Sequence, residues 1–151
     1  MHESARHRLI AITDFAENEI ADLQSFCSLD YKTYLNDKNS RRLVEKIIEN
    51  IANATIDAIK IAISEKRLEM PDSYADIMKK GGEVLSLSNE EINNLVQIAK
   101  LRNILAHEYL DIKWEKISLF LKDHQNTVKT LLKKINSDIK NSLLTPIIHP
   151  D

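Results

Sequence analysis

The sequence predicts an all-α fold, an antiparallel bundle of about five helices. Three observations carry this. The 151 residues include only 2 Gly and 3 Pro, too few for a turn-rich β fold. Apolar residues recur at three- to five-residue steps through long segments, which is the period of a helix face. No stretch alternates apolar and polar residues strongly enough to propose a sheet.

The first helix is expected over about residues 4–27, where Ile12, Phe15, Ile20 and Leu23 recur among acidic residues. Residues 30–39 carry Tyr31, Tyr34, Asn36, Asp37 and Asn39 and read as a loop with room for a short turn. The second helix is expected over about residues 40–68. With Ile51 at the centre of its inner face, Val44, Ile48, Ala58 and Ala62 fall in the middle. Ile59 and Ile63 lie on one flank, Leu43 and Ile61 on the other. A stripe this wide predicts neighbours on more than one side, so this is the central helix. Met70-Pro71 breaks it, because the residue before a proline disfavours helical backbone. A short third helix follows at about 73–80, and Gly81-Gly82 is expected to end or kink it. Ser88-Asn89-Glu90-Glu91 is a capping box opening the fourth helix, which runs from Asn89 to near His107. Asp111 is placed to cap the fifth, where Trp114, Ile117, Leu121, Val128, Leu131 and Ile135 keep helical spacing. Residues 136–151 hold two prolines and are expected as an extended or loosely docked tail of a single domain.

Composition narrows the function. A net charge of −2 provides no global basic field, so any contact with nucleic acid must be local. The single Cys27 excludes an intramolecular disulfide framework and a cysteine-rich zinc site, and its apolar helical setting suggests a small core residue. His2, His7, His124 and His149 have no ligand spacing, so no metal site is proposed, and His124 reads as a packed histidine. Arg41, Arg42 and Lys46 open the second helix as a basic cluster, and Lys79 and Lys80 sit beside the glycine pair; both groups could touch RNA phosphate, but a solvated face is the simpler reading. No apolar run approaches the roughly 20 residues of a membrane span, and the N-terminus lacks the apolar core of a signal peptide. A cytoplasmic location is expected.

The chemistry concentrates in residues 101–109, which read L-R-N-I-L-A-H-E-Y. With Leu95 at the centre of the fourth helix's inner face, Ile92, Ala99, Arg102 and Ala106 share one stripe. A buried arginine is costly unless it is paired or lines a polar cleft. Asn103 lies beside Arg102, and His107 is one turn beyond Asn103. The spacing therefore puts a guanidinium, an amide and an imidazole at one helix end, expected to point away from bulk solvent. An imidazole can exchange a proton near neutral pH, and a guanidinium forks onto phosphate. Together they suffice for metal-free cleavage of RNA, whose 2′-hydroxyl is an internal nucleophile. One helix supplies one histidine, whereas the reaction calls for an acid and a base. A symmetric dimer would bring two arginines and two histidines into one cleft. The same spacing also arises without function. A histidine can simply complement the helix dipole, and an arginine on an apolar stripe can snorkel or pair with a glutamate. The residues alone leave both readings open.

The string R-N-I-L-A-H-E-Y at 102–109 resembles the signature R-N-x-x-x-H-x-Y of HepT-type proteins, a branch of the HEPN superfamily. The order of helices resembles that family over about residues 4–135. Asp72-Ser73-Tyr74 and Gly81-Gly82 sit where the family changes helix. The resemblance implies a HEPN-like homodimer that cleaves RNA without metal through paired R-x4-H motifs. It implies the toxin half of a type VII-like toxin–antitoxin system. The implied partner is an MntA-type nucleotidyltransferase that uses ATP and magnesium to attach AMP to the motif tyrosine, while this chain holds no cofactor of its own. By position, Arg102 and His107 become catalytic, Asn103 supports them, and Tyr109 is the AMP acceptor. Relatives that keep the fold without nuclease activity leave two alternatives. One is a non-catalytic RNA- or nucleotide-binding module; the other is a dimeric helical adaptor for the nucleotidyltransferase.

Overall fold

A computed structural model describes residues 1–144, and among these every element is helical. Helix α1 spans Glu3–Leu23 and runs on into a 3₁₀ turn, Gln24–Phe26. Helix α2 is Tyr31–Asn36, α3 Lys38–Glu65, α4 Tyr74–Val84 and α5 Asn89–His107. Helix α6, Leu110–Leu119, leads through a π-helical segment, Phe120–His124, into α7, Gln125–Leu144.

Helix α3 packs against α1, α2, α4 and α5, as its wide apolar stripe predicts. It buries Val44, Ile47, Ile48, Ile51, Ile56, Ile59, Ile61 and Ile63, each contributing about 1.5–3 kcal/mol. Long-range hydrogen bonds fix the register. His2 meets Glu65 and Glu19 meets Asn50, so α1 and α3 are antiparallel. Glu17 meets Asn136 and Gln24 meets Gln125, so α1 and α7 are antiparallel as well.

Several elements differ from expectation. Residues 30–39 hold the short helix α2, because Asp30 caps its first turn by accepting from the Thr33 N–H at 2.7 Å. Asp37 then caps α3. Helix α4 passes straight through Gly81 and Gly82 rather than ending there. Neither glycine has positive φ. They are needed for close packing: a methyl group on Gly81 would land on Ile59, and one on Gly82 on Ile92. The left-handed residue that ends α4 is Ser86, with φ 57°. Helix α6 starts from Tyr109, with Asp111 inside its first turn rather than at its cap. The π segment that follows has a visible cause: the buried Gln125 amide donates to the Leu121 carbonyl. Finally, residues 136–144 continue α7 instead of forming an extended tail, and Ile139 is buried against the core. The rest of the expected tail, 145–151, lies outside the described residues, and His149 with it. Among the described residues no helix is long and apolar enough to cross a membrane.

Candidate functional site

Helix α5 begins with the predicted capping box: Ser88 accepts from the Glu91 N–H, and Glu91 accepts from the Ser88 N–H. Leu95, Ile98, Ala99 and Leu101 are buried, and they anchor the helix against α3, α4 and α7. Beyond Leu101 the pattern changes. Ala106 lies about 20° from Leu95 around the helix, yet it is exposed. Asn103 and His107 are exposed too. Leu105 still packs against the core, but among the described residues nothing covers Ala106 on the inner side of the last turn. The expectation that the constellation points away from solvent fails for Asn103 and His107. Arg102 alone is half-buried.

Three elements hold Arg102. Its Nε donates to Asn53 Oδ1 on α3. Its guanidinium lies 4.9 Å from the ring centroid of Tyr74, the first residue of α4. Lys60, also on α3, brings its ammonium to 5.4 Å from the same ring. Among the described residues no carboxylate forms an ion pair with Arg102 or Lys60. With Nε committed to Asn53, the guanidinium keeps its four outer N–H groups for another acceptor. Five helical residues separate Arg102 from His107 by about 140° and about 7.5 Å along the axis. One chain therefore does not converge the two groups on a single atom.

The chain then breaks for two extended residues. Glu108 has φ −98° and ψ 165°, and Tyr109 φ −73° and ψ 161°. Tyr109 is 82% exposed, so its hydroxyl stands in solvent beside the end of α5. The far side of the break is firmly seated. Trp114 on α6 stacks against Tyr31 at 6.1 Å and meets Tyr34 at 5.3 Å. The Tyr34 hydroxyl donates to Glu45 at 3.2 Å, and Lys113 pairs with Glu45 at 3.1 Å. Burial pushes the Tyr34 hydroxyl far above its ordinary range, and the Glu45 carboxylate adds to this.

Asn53, Lys60 and Tyr74 were not legible as site residues. Asn53 lies with Glu49 and Lys60 on the polar side of α3, and nothing in the sequence pairs it with Arg102. A groove of about 370 Å³ between α1 and α3, lined by Ile12, Phe15, Asn50, Asn53 and Asp57, ends at this same Asn53. Some of the other basic residues are occupied. Arg41 donates to the Tyr34 and Leu35 carbonyls, Lys46 pairs with Glu49, and Lys80 donates to the Glu69 carbonyl. Cys27 is exposed at the end of the 3₁₀ turn, not packed in the core as expected, because α1 has already stopped at Leu23. His124 is half-buried, and burial holds its imidazole below the ordinary value. Among the described residues no three His, Cys, Asp or Glu side chains gather as a metal site would.

A family model described as Ribonuclease HepT-like matches residues 16–135. A crystal structure of a toxin–antitoxin with AMP-PNP superposes with a TM-score of 0.76 at 17% identity, covering 87% of this chain and 98% of that one. YutE, a cytosolic protein of unknown function from Bacillus subtilis, superposes with a TM-score of 0.76 at 20% identity, covering 93% and 94%. At such identities the likeness shows a shared fold. No curated protein matches the chain.

Proposed function

The chain belongs to the Ribonuclease HepT-like family, and from that premise we propose that it is a metal-independent endoribonuclease toxin whose active site forms between two copies. The observation that carries this reading is Arg102. It is held by an amide and an aromatic ring, with no carboxylate paired to it among the described residues, on a helix that leaves Ala106 and His107 of its last turn exposed. A second α5 packed across a two-fold axis would cover Ala106 and bring both Arg102 and both His107 side chains into one cleft. One His107 takes the proton of a ribose 2′-hydroxyl, whose oxygen attacks the adjacent phosphorus. The bond from phosphorus to the 5′-oxygen breaks, and the second His107 gives that oxygen its proton. Arg102 holds the charge that gathers on the phosphoryl oxygens, with Asn103 in support. DNA has no 2′-hydroxyl and is left intact.

Tyr109 gives the reading a means of control. An MntA-type nucleotidyltransferase partner, using ATP and magnesium, would join the Tyr109 oxygen to the α-phosphorus of ATP and release pyrophosphate. The exposed hydroxyl accepts the group without unfolding anything. The added phosphate then competes with RNA for Arg102, and the adenosine blocks the cleft. The test is incubation of the chain with such a partner, ATP and magnesium, followed by intact mass and cleavage of single-stranded RNA. The wild type is expected to gain AMP and stop cleaving, while Tyr109→Phe gains no mass and stays active. Modification at another residue, or full cleavage by the modified chain, contradicts the assignment of Tyr109. RNA bound but not cut by the bare wild type favours the non-catalytic module instead.

A further inference from the structure

Lys60 is left over by the mechanism. Of the other half-buried lysines, Lys80 spends its ammonium on the Glu69 carbonyl, Lys113 on Glu45, and Lys134 on the Leu85 and Ser86 carbonyls, while Lys116 and Lys129 have neither an oxygen partner nor an aromatic ring among the described residues. Among the described residues Lys60 meets the ring of Tyr74 and no oxygen acceptor, and that ring already carries Arg102. An aromatic face attracts a cation but leaves its N–H donors without an oxygen acceptor. Two cations on one ring also repel each other. The nearby acids do not relieve this: Asp57 on α3 and Asp76 on α4 are exposed and pair with neither. In a chain of net charge −2, two cations from α3 and α5 thus share one aromatic ring of α4 with no carboxylate paired to either among the described residues.

We infer that Lys60, held with Arg102 on the Tyr74 ring, takes a second phosphodiester of the same single-stranded RNA, adjacent to the one that Arg102 holds. The inference rests on the ribonuclease reading and extends its substrate contact from one phosphate to two. Lys60 binds substrate and plays no part in proton transfer. Half-burial of its stem fixes where the ammonium sits, so it defines the path of the RNA strand away from the cleft.

The test uses the full chain carrying His107→Ala, so that RNA is bound and not cut. Binding of a short labelled single-stranded RNA is followed by fluorescence anisotropy across a salt series. Lys60→Gln is expected to weaken binding several-fold. It should also flatten the plot of log affinity against log salt by about 0.7, the share of one phosphate contact on a single strand. Lys60→Arg should restore both, and Lys79→Gln should change neither. With His107 intact, Lys60→Gln should raise KM several-fold and leave kcat within about two-fold. An unchanged salt slope in a protein that still binds RNA overturns this inference and leaves the ribonuclease reading standing. A fall in kcat together with a lower melting temperature overturns it in favour of a structural role. If the wild type does not cleave RNA and the His107→Ala chain binds none, both readings fall together.

Discussion

Asn53 reaches Arg102 across 49 positions of sequence, and its carbonyl oxygen accepts from Nε. This bond ties Nε to α3 and leaves the four outer N–H groups of the guanidinium for another acceptor. Asn53→Ala therefore leaves the charge in place but lets it swing. Misplacing a group that must meet the transition state costs roughly 10²-fold in rate, whereas one lost hydrogen bond costs about 0.5–1.5 kcal/mol of stability. The expected outcome is a large fall in kcat with only a small shift of the urea midpoint. A variant that cleaves as well as wild type would show that the bond is incidental. The contrast also explains what the sequence could disclose at this scale. Arg102 was legible because helix arithmetic set a charge on an apolar stripe, an arrangement that calls for a reason. Asn53, Lys60 and Tyr74 were not, because each is unremarkable within its own helix and acquires meaning only where three helices meet.

At the scale of elements, Gly81 is the sharpest test of how the bundle is packed. A glycine inside a helix costs about 1 kcal/mol relative to alanine, so Gly81→Ala might be taken for a stabilising change. The added methyl, however, falls on the Cγ2 of Ile59. Ile59 is β-branched and fully buried, with little freedom to turn aside. Overpacking of this kind costs about 1–3 kcal/mol, and the closeness of the approach puts it at the upper end. The net prediction is a destabilisation of about 2 kcal/mol, read as a lower urea midpoint; a raised midpoint would contradict the packing described. The capping box at Ser88 and the wide stripe of α3 were read correctly because their signals are local. The glycine pair misled because the two uses of glycine, conformational freedom and close approach, look the same in sequence. The π segment escaped because its cause, the buried amide of Gln125, depends on the partners that Gln24 and Leu121 supply.

For the whole molecule, composition and periodicity were enough for an all-helical bundle, since low glycine and proline content constrains the entire chain. They were not enough for the surroundings of α5. Helix arithmetic counts angles and assumes that a neighbour is present on the inner face. At Ala106 and His107 the described residues provide none. The account assigns that face to a second copy and the cleft between the copies to RNA. Its central claim is that His107 moves protons in a cleavage that needs no metal. The direct measurement is cleavage of total cellular RNA in excess EDTA by wild type beside His107→Ala. Intact mass should confirm that Tyr109 is unmodified, and sedimentation that both proteins are dimers of native helix content. The account predicts that wild type cuts and that the variant is slower by about 10²–10⁴-fold. A wild type that cuts only when magnesium is restored, or a variant that cuts as fast, would contradict it.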